Sequence, residues 1–169
     1  AMMTKEILLQ SLKDEGIAYE SYEHSHVMTI AQMDEVFLPH KDAIAKNLFL
    51  RDDKKRHYYL ISLPGHKRIN LKALRSLLQS RPLSFANEQE LQCLLGLAPG
   101  AVTPFGLLND AHHQVQGFLD QDFQGELIGV HPLENDQTLF LSSQDLIDYL
   151  KKRGHEINYL QIKEDLSHE

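Results

Sequence analysis

Two apolar runs, Ala43 to Leu50 and His57 to Leu63, flank the polar stretch Asp52-Asp53-Lys54-Lys55. Runs this short, rich in branched and aromatic residues and bounded by turn formers, read as strands. The pair is a β-hairpin, broken after its second strand by Pro64-Gly65. A hairpin this early commits the chain to a sheet with antiparallel pairing.

The rest of the chain alternates short helices with short strands. Thr4, Thr29, Asn70, Asn87 and Ser142 each precede an apolar stripe at helical spacing and are expected to cap five helices. Gly16, Gly96 and Gly154 close three of them. Further strands are expected at Ile17 to Tyr22, Leu83 to Phe85, Phe105 to Leu108, Val115 to Leu119, Leu127 to Val130, Thr138 to Leu141 and His155 to Ile162. No repeat, low-complexity segment or linker divides residues 1–169, so one domain is expected. Neither a regular βαβ order nor a strand-only pattern appears. The expected class is α+β: a mixed, largely antiparallel sheet, curled into a barrel-like shape and surrounded by helices.

Composition narrows the setting. The 169 residues carry one cysteine, Cys93, which excludes a disulfide framework and a cysteine-rich zinc site. No apolar run reaches the roughly 18 to 20 residues of a membrane span, and the opening residues lack a signal-peptide core. A cytoplasmic location and no membrane contact are expected. The net charge of −7 argues against a broad surface for coating nucleic acid. A small site for one RNA end remains open, because local cations stand at Lys46, at Lys54, Lys55 and Arg56, and at Lys67 and Arg68.

Three features could carry chemistry. Lys46 interrupts an apolar strand, where an ammonium costs stability unless it reaches water or an anion. It is either a solvent-facing edge lysine or a cation aimed into a cleft. The loop from Leu97 to Gly106 holds two prolines and two glycines. Prolines stiffen it and glycines let its backbone approach closely, so it is either a structural turn or a cradle for a carbonyl oxygen or a water. Gly129-Val130-His131-Pro132 ends a strand with a histidine that is either satisfied in place or part of a pocket wall. His24-Ser25-His26 and His112-His113 match no standard metal spacing and read as surface histidines. Phosphate-loop, dinucleotide, nucleophile-elbow and zinc-protease signatures are all missing.

Taken together, Lys46-Asn47-Leu48-Phe49-Leu50-Arg51-Asp52, Leu63-Pro64-Gly65-His66-Lys67-Arg68, Leu83-Ser84-Phe85-Ala86, the G-x-x-x-P loop Gly100 to Pro104 and Gly129 to Pro132 resemble one family. It is the YbaK/prolyl-tRNA-synthetase-associated editing domain family, in its free-standing PrdX or ProXp-ala branch of alanyl-tRNA(Pro) deacylases. The likeness runs from about residue 5 to 160.

That resemblance implies hydrolysis of the ester joining a wrong amino acid to the terminal adenosine of tRNA, with no metal and no cofactor. It implies catalytic positions at Lys46, Asn47, Gly100, Ala101 and His131, and substrate contacts at Val102, Thr103, Pro104, Phe105, Gly129 and Pro132. The basic clusters Lys54, Lys55 and Arg56, and Lys67 and Arg68, are read from their residues either as solvated turns or as contacts with the tRNA acceptor stem. The substrate would be the acceptor end of tRNA(Pro) carrying alanine, met by a monomer and delivered by prolyl-tRNA synthetase or an elongation factor. Val130 stands where an aromatic residue is usual in the family. The chemistry suits the residues. A synthetic site shaped for proline loses only roughly 1–3 kcal/mol when it meets the smaller alanine, so a second, size-excluding site must do the sorting. The other readings are a deacylase for cysteine, serine or threonine, a silent tRNA- or amino-acid-binding regulator of the same fold, and an unrelated hydrolase of simple esters.

Overall fold

A computed structural model describes residues 2–167. Helix α1 (Lys5–Asp14) leads into strand β1 (Glu20–Glu23) and the short α2 (Ile30–Glu35). The hairpin β2 (Ala45–Asp52) and β3 (Tyr58–Pro64) follows, then α3 (Leu71–Leu78), β4 (Leu83–Phe85) and α4 (Glu88–Leu95). The second half holds β5 (Val115–Asp120), β6 (Leu127–Val130), β7 (Gln137–Ser142), α5 (Ser143–Lys152) and β8 (Ile157–Leu160). All five helices start where the capping residues put them. The side chains of Thr4, Thr29, Asn70, Asn87 and Ser142 accept hydrogen bonds from Ile7, Gln32, Ala73, Glu90 and Asp145 N–H.

The strands form two sheets, β4-β2-β3-β5-β8 and β1-β7-β6. β2 pairs antiparallel with β3 and β4, while β3–β5 and β5–β8 run parallel. The three-stranded sheet is antiparallel throughout. The α+β class with a mixed, largely antiparallel sheet is therefore present, but the strands do not close into a barrel. An isolated parallel bridge, Ile44 to Gly129, joins the two sheets. Closure is a non-local property that strand patterns along a chain do not encode.

A second difference lies at Phe105 to Leu108, expected as a strand. Pro104–Asn109 is a 3-10 helix instead. Proline at its first position presets φ, and the Thr103 hydroxyl accepts from Phe105 N–H at 3.4 Å.

Strand alternation splits β2 between two cores. Ala45 and Phe49 join the main cluster with Leu8, Leu95, Phe105 and Leu150. Leu48 and Leu50 pack with Ile61, Leu63 and Leu74 on the α3 side. A smaller cluster of Val27, Met33, Leu38, Ile44 and Phe140 lies where α2 meets the seam between the sheets. β4 covers only Leu50 to Asp52 of one β2 edge, so among the described residues the edge over Lys46 to Leu48 pairs with no strand.

Candidate active site

A cavity of about 280 Å³ opens at that uncovered edge, on the seam between the two sheets. This lies at the lower bound of the roughly 300–1,000 Å³ typical of small-molecule sites. It suits an aminoacyl group better than a whole nucleotide. Its walls come from Val27 to Ile30 and Met33, from Ile44 to Asn47, from Gly100 and Val102, and from Gly129 to His131 with Thr138.

Lys46 lies at the cavity edge, half-buried, and its ammonium donates to the Lys67 carbonyl at 2.6 Å. Burial lowers its pKa, against an opposing pull from the Glu164 carboxylate. Asn47 points to the opposite face of the strand, where its Oδ1 accepts from the buried Ser62 hydroxyl at 2.5 Å. That bond uses the oxygen, and Asn47 itself lines the cavity.

The G-x-x-x-P loop divides its residues between cavity and core. Gly100 and Val102 line the cavity. Gly100 has φ +84°, and a Cβ there would stand 2.6 Å from Met28 Sδ and 3.1 Å from both the Val27 carbonyl and Asn135 Nδ2. Ala101, Thr103, Pro104 and Phe105 turn inward and are buried. Phe105 sits edge-on to Tyr149, 6.2 Å between ring centroids. Pro132 is likewise buried outside the cavity wall.

On the other wall, Gly129 approaches Phe140 so closely that a Cβ would lie 2.6 Å from the ring. His131 follows two residues later. Its Nδ1–H donates to the Gln137 carbonyl at 2.9 Å, which leaves Nε2 as an acceptor. Burial pushes the imidazole pKa below its ordinary value; the Gln137 carbonyl opposes this and neighbouring His24 adds to it. The His24 and His131 rings are 6.0 Å apart. His24 also bonds the Thr138 hydroxyl at 2.8 Å.

Sequence reading misses Thr138, the Val27 to Ile30 stretch and Met33, because tertiary docking of α2 and β7 brings them in. The signal available is His24-Ser25-His26, which spacing alone reads as surface histidines, whereas the His24 ring lies 6.0 Å from His131. No group of three or more His, Cys, Asp or Glu side chains among the described residues is arranged to hold a metal ion. Among those residues, no helix is long and apolar enough to cross a membrane.

The basic candidates separate in space. Lys54, Lys55 and Arg56 are exposed on the hairpin turn, at the far end of β2 from Lys46. Arg68 is exposed. Lys67 is 9% exposed, and its ammonium bonds to Asp120 and Asp122.

Comparison with known proteins gives the family and the fold. The family model described as "Aminoacyl-tRNA editing domain" matches residues 24–149. The prolyl-tRNA editing protein ProX of Acetoanaerobium sticklandii is 38% identical over 162 residues, which cover 95% of this chain and 99% of that protein. The prolyl-tRNA synthetase associated domain-containing protein 1 of Mus musculus is 36% identical, over 88% of this chain and 90% of its own. A solved structure described as a candidate trans-editing enzyme for prolyl-tRNA synthetase shares the fold. Its TM-score is 0.65 at 21% identity, covering 96% of this chain and 100% of that one.

Proposed function

The chain belongs to the aminoacyl-tRNA editing domain family, and from that premise we propose that it is a trans-acting deacylase. It hydrolyses the ester of mischarged tRNA(Pro), with alanine as the amino acid removed. The observation that carries this reading is the convergence of Lys46, Asn47, Gly100 and His131 on one cavity of about 280 Å³.

An aminoacyl ester is already activated relative to an amide, so placing a water and stabilising the oxyanion suffices. Water adds to the ester carbonyl carbon, the bond to the ribose oxygen breaks, and that oxygen leaves with a proton. The Asn47 amide and the Lys46 ammonium supply donors for the terminal nucleotide or the developing oxyanion, a contribution of about 2.7–4 kcal/mol per donor in enzymes where it has been measured. His131 Nε2, uncharged at neutral pH, accepts a hydrogen bond from the attacking water. The neighbouring ribose hydroxyl completes the proton transfer. Val102, Ile30, Met33 and Val130 form an apolar wall that admits a methyl group and rejects the proline ring. The protein works in the cytoplasm as a monomer, and prolyl-tRNA synthetase or an elongation factor hands it the tRNA.

The test is single-turnover deacylation of tRNA(Pro) charged in turn with alanine, cysteine, serine and proline. Ala-tRNA(Pro) should be cleaved fastest and Pro-tRNA(Pro) spared, with Lys46→Ala slowing cleavage about 100-fold. Faster cleavage of another pair would move the substrate assignment to that amino acid. No turnover of any mischarged tRNA would remove the deacylase reading altogether.

A further inference from the structure

The run His66-Lys67-Arg68 suggests a solvated turn or a contact with tRNA, yet the side chain of its middle member is buried against two carboxylates. The Lys67 ammonium lies 2.9 Å from Asp120 Oδ2 and 3.0 Å from Asp122 Oδ2. Asp120 is 1% exposed, and its second oxygen accepts from Asp122 N–H at 2.9 Å. One carboxylate thus ties the end of β5 to the loop that leaves β3. A buried ion pair of this kind is a weak source of stability, because desolvation offsets most of the attraction. What it does supply is a fixed position.

The other end of Lys67 explains why position matters. Its carbonyl receives the Lys46 ammonium at 2.6 Å. That carbonyl belongs to an irregular turn, closed by Lys67 N–H to the Pro64 carbonyl at 3.0 Å, and no sheet ladder holds it. Lysine has a flexible four-carbon stem, so the partner of its ammonium decides where the charge sits. The two bonds therefore form a chain: Asp120 and Asp122 hold the Lys67 side chain, and the Lys67 backbone holds Lys46.

We propose that Lys67, clamped by Asp120 and Asp122, is a positioning residue that fixes the ammonium of Lys46, a residue of the cavity wall. This rests on the reading that Lys46 serves the deacylation site. Lys67 acts through Lys46 and touches no substrate.

The experiment compares Lys67→Met, Lys67→Arg and Asp122→Asn in the full chain, with Ala-tRNA(Pro) as substrate. Lys67→Met should lower kcat by roughly 10- to 100-fold, the range expected when a working group is misplaced by about an ångström. KM should stay within about twofold. Lys67→Arg, which keeps the ion pair, should recover most of the loss. The effect should vanish in a Lys46→Ala background, since coupled residues are not additive. Asp122 is 63% exposed at its side chain, so Asp122→Asn loosens the clamp without stranding a buried charge. It should give a smaller loss of the same kind, which keeps the test open if Lys67→Met fails to fold. An independent readout is the ¹⁵N signal of the Lys46 side chain, which should shift and exchange faster in Lys67→Met and Asp122→Asn. Folded variants with unchanged kcat and an unchanged Lys46 signal would overturn the proposal. So would a raised KM with a reduced salt dependence, which would make Lys67 a tRNA contact. If the wild type cleaves no charged tRNA, the deacylase reading falls while the Lys46 signal still decides the role of Lys67.

Discussion

Gly100 and Gly16 both hold positive φ, +84° and +69°, but only Gly100 also has neighbours where a side chain would go. Around Gly16 nothing lies within 4 Å of the built Cβ. Gly16→Ala therefore isolates the backbone cost, about 1–2 kcal/mol for a residue forced into the left-handed region. Gly100→Ala adds crowding against Met28, Asn135 and the Val27 carbonyl. It should lower the melting temperature more than Gly16→Ala does. It alone should also reduce kcat/KM on Ala-tRNA(Pro), by tenfold or more if the wall moves by about an ångström. Equal effects of the two variants in melting and kinetics would remove Gly100 from the site. The His131 imidazole supports a second prediction at this scale. Its folded pKa is depressed by burial, so the unfolded chain binds the proton more readily. Stability attributable to His131 is full above the ordinary imidazole value and is lost as pH falls from there through the folded value. Deacylation should fall over the same acidic range as Nε2 takes a proton. His131→Asn should flatten both profiles in part. A residual slope in stability is expected from His155, whose pKa burial also lowers. Profiles identical to wild type would show that His131 stays out of both processes.

Helix α4 shows how far local chemistry carries the fold. Asn87 and Glu90 form a reciprocal capping box at 2.8 and 2.9 Å. The Glu90 carboxylate also accepts from the Tyr58 hydroxyl at 2.6 Å, while burial and that contact push the Tyr58 pKa up to about 12. Asn87→Ala should cost about 1 kcal/mol in denaturant unfolding and leave deacylation unchanged, because α4 contributes no cavity residue. A cost indistinguishable from zero would mean that tertiary packing alone holds the helix start. Caps are legible in sequence because donor and acceptor lie three residues apart, and all five helix starts were. The strand expected at Phe105 to Leu108 failed for the opposite reason. A four-residue apolar run has no period of its own, and the proline before it with the threonine cap decided in favour of a 3-10 turn. The site was legible to the same local depth. Lys46, Asn47, Gly100, Val102, Gly129 and His131 reach the cavity, whereas Ala101, Thr103, Pro104, Phe105 and Pro132 face the core. A motif names a loop, but which of its residues turn outward depends on packing against α4, α5 and β7.

Net charge and the placement of the cavity pose a problem for the whole molecule. A chain carrying −7 repels a polyanion at long range, so productive binding of tRNA depends on local cations. The Lys46 ammonium is tied to the Lys67 carbonyl, and the Lys67 side chain is paired with Asp120. The exposed cluster lies on the hairpin turn at Lys54, Lys55 and Arg56. From Lys46 to Asp52 the strand advances by six residues, which is about 20 Å at the usual rise. The terminal ester would sit at the β2 start while phosphates of the acceptor stem pass over the turn. Groups this far from the chemistry hold substrate and transition state equally, so removing them should raise KM and spare kcat. Every phosphate left without its cation should also reduce the slope of log affinity against log salt by roughly 0.7–0.9. Lys54→Glu and Lys55→Glu, made together, should therefore weaken tRNA(Pro) binding and flatten its salt dependence, with single-turnover cleavage at saturation unchanged. Asp53 bears on how large the effect can be, because Arg81 already pairs with it at 2.6 Å and reduces the negative charge beside the turn. If KM and the salt slope both hold steady in the double variant, the hairpin is a solvated turn and the acceptor stem approaches over another face.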